Sequence, residues 1–97
     1  MIAEIEVLPT PSGRPDAVYA YVEAAIAVIA GSGLAYEVEP LGTSFEGTPD
    51  EVWAVLRQVH EATLNAGAEK VISVVKLFES ADDAGPGMYD LIGKFRG

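Results

Sequence analysis

The chain has 97 residues, 49% of them hydrophobic, and 15 acidic against 6 basic side chains give it a formal net charge of −9. This length and hydrophobic content predict a single folded domain, residues 1–97, and exclude a disordered chain. The negative charge repels phosphate backbones and anionic membrane surfaces. We therefore expect no nucleic-acid or membrane partner, and a neutral or cationic small molecule fits the charge better.

Cysteine is absent, which excludes disulfide bonds, thiolate metal sites and a cysteine nucleophile, and the composition fits a reducing compartment. The amino terminus lacks the basic and apolar regions of a signal peptide, and no apolar run approaches the roughly 20 residues that span a bilayer. We therefore predict a cytoplasmic protein.

The first predicted element is a strand from Ile2 to Leu8, which Pro9 and Pro11 are expected to end. Its residues alternate between two faces, because successive side chains of a strand point in opposite directions. One face carries Ala3, Ile5 and Val7, and the other carries Ile2, Glu4, Glu6 and Leu8.

A helix is predicted next, beginning at Pro15 and ending before Gly31. Its buried stripe at helical spacing comprises Val18, Val22, Ala25 and Ile29. Since the helix has only two charged residues, its outer surface is expected either to be covered by a second subunit or to be an alanine-rich surface with a few exposed apolar residues.

The stretch from Tyr36 to Gly47 predicts a β-hairpin with a turn at Pro40-Leu41-Gly42. Phe45 is the apolar member of the second strand and marks the buried side. Tyr36 and Val38 are expected on that side. The opposite side is then acidic and carries Glu37, Glu39, Ser44 and Glu46.

A second helix is predicted to begin at Thr48-Pro49, where Thr48 and Glu51 have the spacing of a capping box. Its predicted buried stripe is Val52, Val55, Leu56, Val59 and Thr63. The β-branched run from Lys70 to Phe78 predicts a strand inside the sheet. A loop and a short helix, Met88 to Phe95, are expected to follow.

The element order predicts an α+β, ferredoxin-like β-α-β-β-α-β fold. In this fold a four-stranded antiparallel sheet carries both helices on one face, and the first and third strands are central neighbours. We assign residues 2–78 to the core of the domain and residues 79–97 to a C-terminal tail.

The sheet face away from the helices is predicted to be dense in carboxylates, with Lys76 as the only obvious base. Like charges on neighbouring strands cost a few tenths to about 1 kcal/mol per pair. Two interpretations remain open: the glutamates are ordinary solvated side chains, or a bound cation or another subunit relieves their repulsion.

Catalysis is not predicted, although paired carboxylates can act as general acid and base. No nucleophile, metal triad or positioned histidine accompanies them, and His60, the only histidine, is assigned no role. We therefore expect no enzyme activity, no metal and no cofactor.

Several segments together resemble the thiamine-binding protein family, formerly a family of unknown function. The resemblance covers roughly residues 2–78, and its segments are Glu4-Ile5-Glu6-Val7, residues 32–38, Pro40-Leu41-Gly42-Thr43 with Glu46-Gly47, and residues 67–71. It implies a ferredoxin-like protein that binds thiamine or its hydroxymethylpyrimidine part, and that assembles through its sheets as a homodimer or homotetramer.

The residues expected to bind such a ligand are Glu6, Thr43, Ser44 and Glu46, with Glu37 and Glu39 supplying negative potential. Thr43, Ser44 and Glu46 match the family's hairpin segment. The alternative is a structural or interaction domain whose acidic sheet face binds another protein.

Overall fold

The computed structural model describes residues 1–82 and 85–96, without the side chains of residues 94–96. The elements in chain order are strand β1 (Ile2–Thr10), helix α1 (Ala20–Ala30), strands β2 (Ala35–Glu39) and β3 (Gly42–Glu46), helix α2 (Pro49–Ala66), strand β4 (Lys70–Phe78) and helix α3 (Met88–Arg96). All strand pairs are antiparallel and the order is β2-β3-β1-β4. The predicted ferredoxin-like α+β fold, with a short C-terminal helix, is confirmed.

The core lies between one sheet face and the helices α1 and α2. Ala3, Ile5 and Phe45 project from the two central strands into this layer and are buried, as the alternation of β1 and β3 predicts. The helices contribute Ala25, Ile29, Val52, Val55, Leu56 and Val59. We call the other side of the sheet the open face.

Strand β1 is longer than predicted, because Pro9 does not end it. Pro9 is paired with Val71 of β4, and the strand continues to Thr10. Pairing between β1 and β3 stops at Ile5 and Thr43, so at the level of Pro9 the strand β1 has a neighbour on one side only. A proline, which has no N–H to donate, is tolerated in such a position.

Helix α1 begins at Ala20, and the prediction of Pro15 as its start is wrong. Arg14 and Ala17 exchange backbone hydrogen bonds of 3.0 and 2.9 Å, and the Ser12 hydroxyl donates to the Val18 carbonyl at 2.6 Å. These bonds hold the segment in turns instead of a helix. Val18 is therefore exposed, and Tyr21 takes the buried place at the start of the helix.

The predicted start and buried stripe of α2 are confirmed. The Thr48 N–H donates to the Glu51 carboxylate at 2.9 Å, and the Glu51 N–H donates to the Thr48 hydroxyl at 3.3 Å. Hydrogen bonds to the Glu51 carboxylate from Thr48, first from its backbone N–H and then from its side chain, lower the pKa of Glu51 below its ordinary value. The buried residues of the helix are Val52, Val55, Leu56, Val59 and Thr63, as predicted.

The prediction that β4 lies inside the sheet is wrong, because β4 is an edge strand. Val75, on the helix side of β4, is 39% exposed, and Val38 on the opposite edge strand is 49% exposed. Val38 was expected on the buried side of the hairpin, and the structure shows that this prediction is wrong. The two helices approach β1 most closely, and they leave the flanking strands partly uncovered.

The C-terminal helix α3 is attached mainly through its first turn. Met88 is buried there, and the Tyr89 hydroxyl donates to the Tyr36 carbonyl at 3.1 Å. Residues 83, 84 and 97 of the predicted tail lie outside the described residues. Within the described ranges, no helix is both long and apolar enough to cross a membrane.

Replacing Phe45 by alanine is predicted to lower the free energy of unfolding by about 3–5 kcal/mol, because the ring is fully buried at the centre of the core and its removal leaves a cavity. Tyr19→Ala is the control, since Tyr19 is an exposed aromatic residue. Urea unfolding measures both variants. Equal midpoints for Phe45→Ala and Tyr19→Ala would contradict the central position of Phe45.

Candidate functional site

The predicted acidic side of the hairpin lies on the open face. Ser44 of β3 is opposite Glu4 of β1 and Glu37 of β2, and residues directly opposite each other point to the same side of a sheet. By the same parity Glu6, Glu39 and Glu46 share this face. Thr43, in contrast, is opposite Ile5 and Val38, faces the helices and is only 4% exposed.

Most of these polar groups already have partners within the protein. The Ser44 hydroxyl donates to the Glu39 carboxylate at 2.6 Å, and the Met88 N–H at the start of α3 donates to the Glu46 carboxylate at 3.2 Å. Lys76 lies 4.0 Å from Glu4 in an exposed ion pair. The repulsion expected between the carboxylates is thus relieved locally by a hydroxyl, a backbone amide and one lysine.

Glu6 differs from these neighbours. Its carboxylate has no hydrogen bond and no ion pair with any residue in the part of the chain that the structure describes. It is only partly exposed. A half-buried carboxylate that has no protein partner retains its capacity to accept hydrogen bonds from a ligand.

A cavity of about 170 Å³ lies beside Glu6, between the β2–β3 turn and helix α1. We call it the hairpin cavity. The last pair between β1 and β3 is Ile5–Thr43, and β1 continues beyond it. The cavity is the space between this second half of β1 and the β2–β3 turn. Its lining comprises Ile5, Glu6, Val7, Val22, Ala25, Ile26, Ile29, Glu39, Pro40, Leu41, Gly42, Thr43 and Val59.

Gly42 allows the hairpin to approach β1 closely at one end of this cavity. A Cβ atom at this position would lie 3.1 Å from the Ile5 carbonyl oxygen and 3.4 Å from Cγ of Glu4. A larger residue would therefore push β3 away from β1. The close approach holds the hairpin turn over the cavity.

The hairpin cavity has polar and apolar surface in nearly equal shares. Aliphatic side chains of α1 and β1 form much of its wall, and Glu6 and Glu39 are also among its lining residues. The Thr43 hydroxyl also lines it and has no hydrogen bond to another described residue. Such a site can bury a flat apolar ring and satisfy a small number of hydrogen-bond donors at its edge.

The size of the cavity limits what it can enclose. A dry engineered cavity of about 150 Å³ binds benzene, and the hairpin cavity has about 170 Å³. It therefore has room for one six-membered ring. The remainder of a larger ligand would lie outside the cavity.

The described residues contain no group of three histidine, aspartate or glutamate side chains that could hold a metal ion. His60 lies away from the hairpin cavity, between α2 and β4, where its Nδ1 is 2.5 Å from the Ser73 hydroxyl. This contact fixes α2 against the edge strand.

The structure brings together three of the six predicted site residues, Glu6, Glu39 and Thr43, at the cavity. Ser44 joins them indirectly through Glu39. Glu37 and Glu46 lie farther along the hairpin, on the open face. Sequence reasoning missed the apolar lining that α1 contributes, which comprises Val22, Ala25, Ile26 and Ile29. The one sequence feature that could have indicated a cavity is that the alternating run of β1 is longer than that of β3.

Comparisons with known proteins identify relatives across nearly the whole chain. A family model described as thiamine-binding protein matches residues 3–92. A UPF0045 protein of Clostridium perfringens is 31% identical over 86 residues, covering 89% of this chain and 88% of the relative.

Solved structures show the same fold. A domain of unknown function, DUF77, from Bacillus cereus superimposes with a TM-score of 0.82 at 30% identity, covering 98% of this chain and 88% of that one. A protein of Thermotoga maritima, proposed to act in thiamine biosynthesis or salvage, gives a TM-score of 0.81 at 21% identity, with coverage of 98% and 97%.

Proposed function

Because the chain belongs to the thiamine-binding protein family, we propose that it binds thiamine, or the hydroxymethylpyrimidine part of thiamine, without catalysing a reaction on it. The observation that carries the proposal is the hairpin cavity, which has room for one ring and is lined in part by Glu6, whose carboxylate has no partner among the described residues. Thiamine consists of one aminopyrimidine ring and one cationic thiazolium ring. The aminopyrimidine ring matches the cavity, and the cationic ring matches the acidic residues around it.

In the proposed complex the aminopyrimidine ring enters the cavity and packs against Val22, Ile26 and Ile29 of α1. The exocyclic amine donates to the Glu6 carboxylate, and a ring nitrogen accepts from the Thr43 hydroxyl. Hydrogen bonds to a charged group contribute roughly 1.5–3 kcal/mol each. The pyrimidine is therefore the part that determines specificity.

The thiazolium ring remains outside the cavity in this arrangement, near Glu39, which ends β2 next to the turn. Ser44 orients the Glu39 carboxylate through its hydrogen bond of 2.6 Å. Glu37 and Glu46 add negative potential on the same face, which attracts a cation before it binds. The net charge of −9 also attracts a cationic ligand.

Binding without chemistry is proposed because the cavity provides no activated nucleophile among its described lining residues. The Thr43 hydroxyl has no hydrogen bond to a base, and the histidine–serine contact of the protein lies between α2 and β4. We further propose that the protein acts in the cytoplasm as a homodimer or homotetramer. Exposed apolar side chains on β4 support an assembly of more than one chain.

Replacing Glu6 by glutamine is predicted to weaken binding of thiamine and of hydroxymethylpyrimidine by about tenfold to a hundredfold, because the shape is kept and the charged hydrogen bond is lost. Titration calorimetry measures the affinity. Glu4→Gln is the matched control, since Glu4 is on the same strand and face but is paired with Lys76. It is expected to bind as the wild type does.

If the wild type gives no heat with thiamine, its phosphates or hydroxymethylpyrimidine, the ligand proposal is wrong, and the alternative of an interaction domain with an acidic face takes its place. If Glu6→Gln and Glu4→Gln weaken binding equally, general charge and not a specific hydrogen bond attracts the ligand. Unchanged melting temperatures are the control for folding.

Filling the cavity by Val22→Phe is predicted to abolish binding while leaving the melting temperature unchanged or raised, because the new ring occupies the space proposed for the pyrimidine. Ala27→Phe places the same ring on the exposed side of the same helix and is expected to bind normally. Thermal shift with and without ligand measures both effects. Normal binding by Val22→Phe would exclude the hairpin cavity as the site.

A further inference from the structure

Acidic residues of two strands lie around the hairpin cavity. Glu6 of β1 and Glu39 of β2 are among its lining residues, and a Cβ atom on Gly42, another lining residue, would be 3.4 Å from Cγ of Glu4. Glu37 is on the same face of β2 as Glu39. Charges interact over about 8 Å at physiological ionic strength. These carboxylates therefore act together on a charged group that is bound at the cavity.

The basic side chains that the structure describes lie away from the cavity or are already paired. Arg14 and Arg57 form ion pairs with acidic residues close to them in the sequence. Lys76 is 4.0 Å from Glu4, and Lys70 is the first residue of β4. None of these four basic residues is among the lining residues. An anionic group at the cavity therefore meets carboxylates without a cation of the described lining to balance them.

The start of α1, next to Val22 of the cavity lining, is not built as an anion site. A helix N-terminus binds anions through backbone N–H groups that have no partner in the protein. Here the N–H groups of Ala20 and Tyr21 each donate at 3.0 Å to a carbonyl oxygen of the preceding turns. Glu23 adds a carboxylate in the first turn of the helix. A phosphate group at this place would meet occupied N–H groups and a further negative charge.

We propose that the site selects the unphosphorylated form of its ligand and rejects phosphate esters, with Glu39 as a specificity-determining residue, an inference that rests on the proposed function. A phosphate monoester carries a charge of about −1.5 to −2 at neutral pH. The carboxylates repel this charge, whereas they attract a thiazolium cation and do not repel a neutral aminopyrimidine. Charge thus decides which chemical form of the ligand is bound.

Glu39 is suited to this role because its position is fixed. It is paired with Gly42 at the β2–β3 turn, and the Ser44 hydroxyl donates to its carboxylate at 2.6 Å. The carboxylate cannot turn away from an approaching anion without breaking this hydrogen bond. The charge of Glu4, in contrast, is partly balanced by Lys76.

The expected discrimination depends on where the ligand carries its phosphate. In hydroxymethylpyrimidine phosphate the ester is one carbon atom away from the ring that enters the cavity. In thiamine phosphate it is at the end of the hydroxyethyl arm of the ring that remains outside. Since electrostatic repulsion falls with distance, we expect the stronger discrimination between hydroxymethylpyrimidine and its phosphate.

A ligand that is held without phosphate has a defined place in a reaction sequence. Its hydroxyl group remains available as an acceptor, so a phosphoryl transfer to this hydroxyl consumes the form that the protein holds. Hydrolysis of the phosphate ester supplies the same form. The phosphorylated product does not compete for the site, because the carboxylates reject it.

Titration calorimetry compares hydroxymethylpyrimidine with its phosphate, and thiamine with thiamine phosphate. At about 0.1 M salt each ester is expected to bind at least about tenfold more weakly than its parent compound. At about 1 M salt the Debye length falls from about 10 Å to about 3 Å, and the affinity ratio within each pair is expected to fall several-fold. Exclusion by the size of the phosphate predicts no such change, since its size does not depend on salt.

Glu39→Gln is expected to lower the affinity ratio several-fold at low salt, because the variant keeps the size of the side chain and removes its charge. Asp50→Asn is the matched control. It removes one negative charge at the exposed start of α2, which follows the opposite end of β3, and is expected to leave the ratio unchanged. A ratio that responds equally to both variants, or to neither, would overturn the role of Glu39.

Equal affinity of the wild type for each parent compound and its ester would overturn the selectivity and leave the proposed function in place. Tighter binding of the esters, lost in Lys76→Gln, would also overturn it and would assign a phosphate contact to Lys76. A wild type that binds none of these compounds would overturn the proposed function together with the selectivity.

Discussion

The end of β1–β3 pairing at Ile5 and Thr43 is the constraint on which the candidate site depends. Beyond this pair, β1 continues to Thr10 with β4 as its only neighbour, while the hairpin turns back over α1. The mismatch in strand length creates the hairpin cavity and brings Glu6 to its lining. The same mismatch explains why Pro9 can lie within a strand of the sheet centre.

The charges of the open face are distributed unevenly around that cavity. Glu4, Glu39 and Glu46 interact with a lysine, a serine hydroxyl and a backbone amide, respectively. These contacts stabilise the individual carboxylates, and the open face as a whole remains negatively charged. Glu6 has no such contact among the described residues and lies next to an apolar space. In the proposed complex the acidic face attracts a cation, and the Glu6 carboxylate makes the specific contact.

Local signals in the sequence predicted the parity of the hairpin and the start of α2, because alternation and a capping box depend on neighbouring residues. They failed for features that depend on tertiary contacts, such as the start of α1 and the position of β4 in the sheet. Turn hydrogen bonds around Arg14 and Ala17 delay the start of α1. The apolar run of β4 suggested a central strand, although apolar residues on both faces also suit an edge strand that is covered in an assembly. The cavity was not predictable, since it depends on where two distant strands stop pairing.

The central claim, that the pyrimidine ring occupies the hairpin cavity, is tested most directly by nuclear Overhauser effects between bound hydroxymethylpyrimidine and the methyl groups of the protein. Contacts are expected from the ring protons to Val22, Ile26 and Ile29, which line the cavity. Contacts to Ile72 and Val74 on the open face, with none to α1, would contradict it.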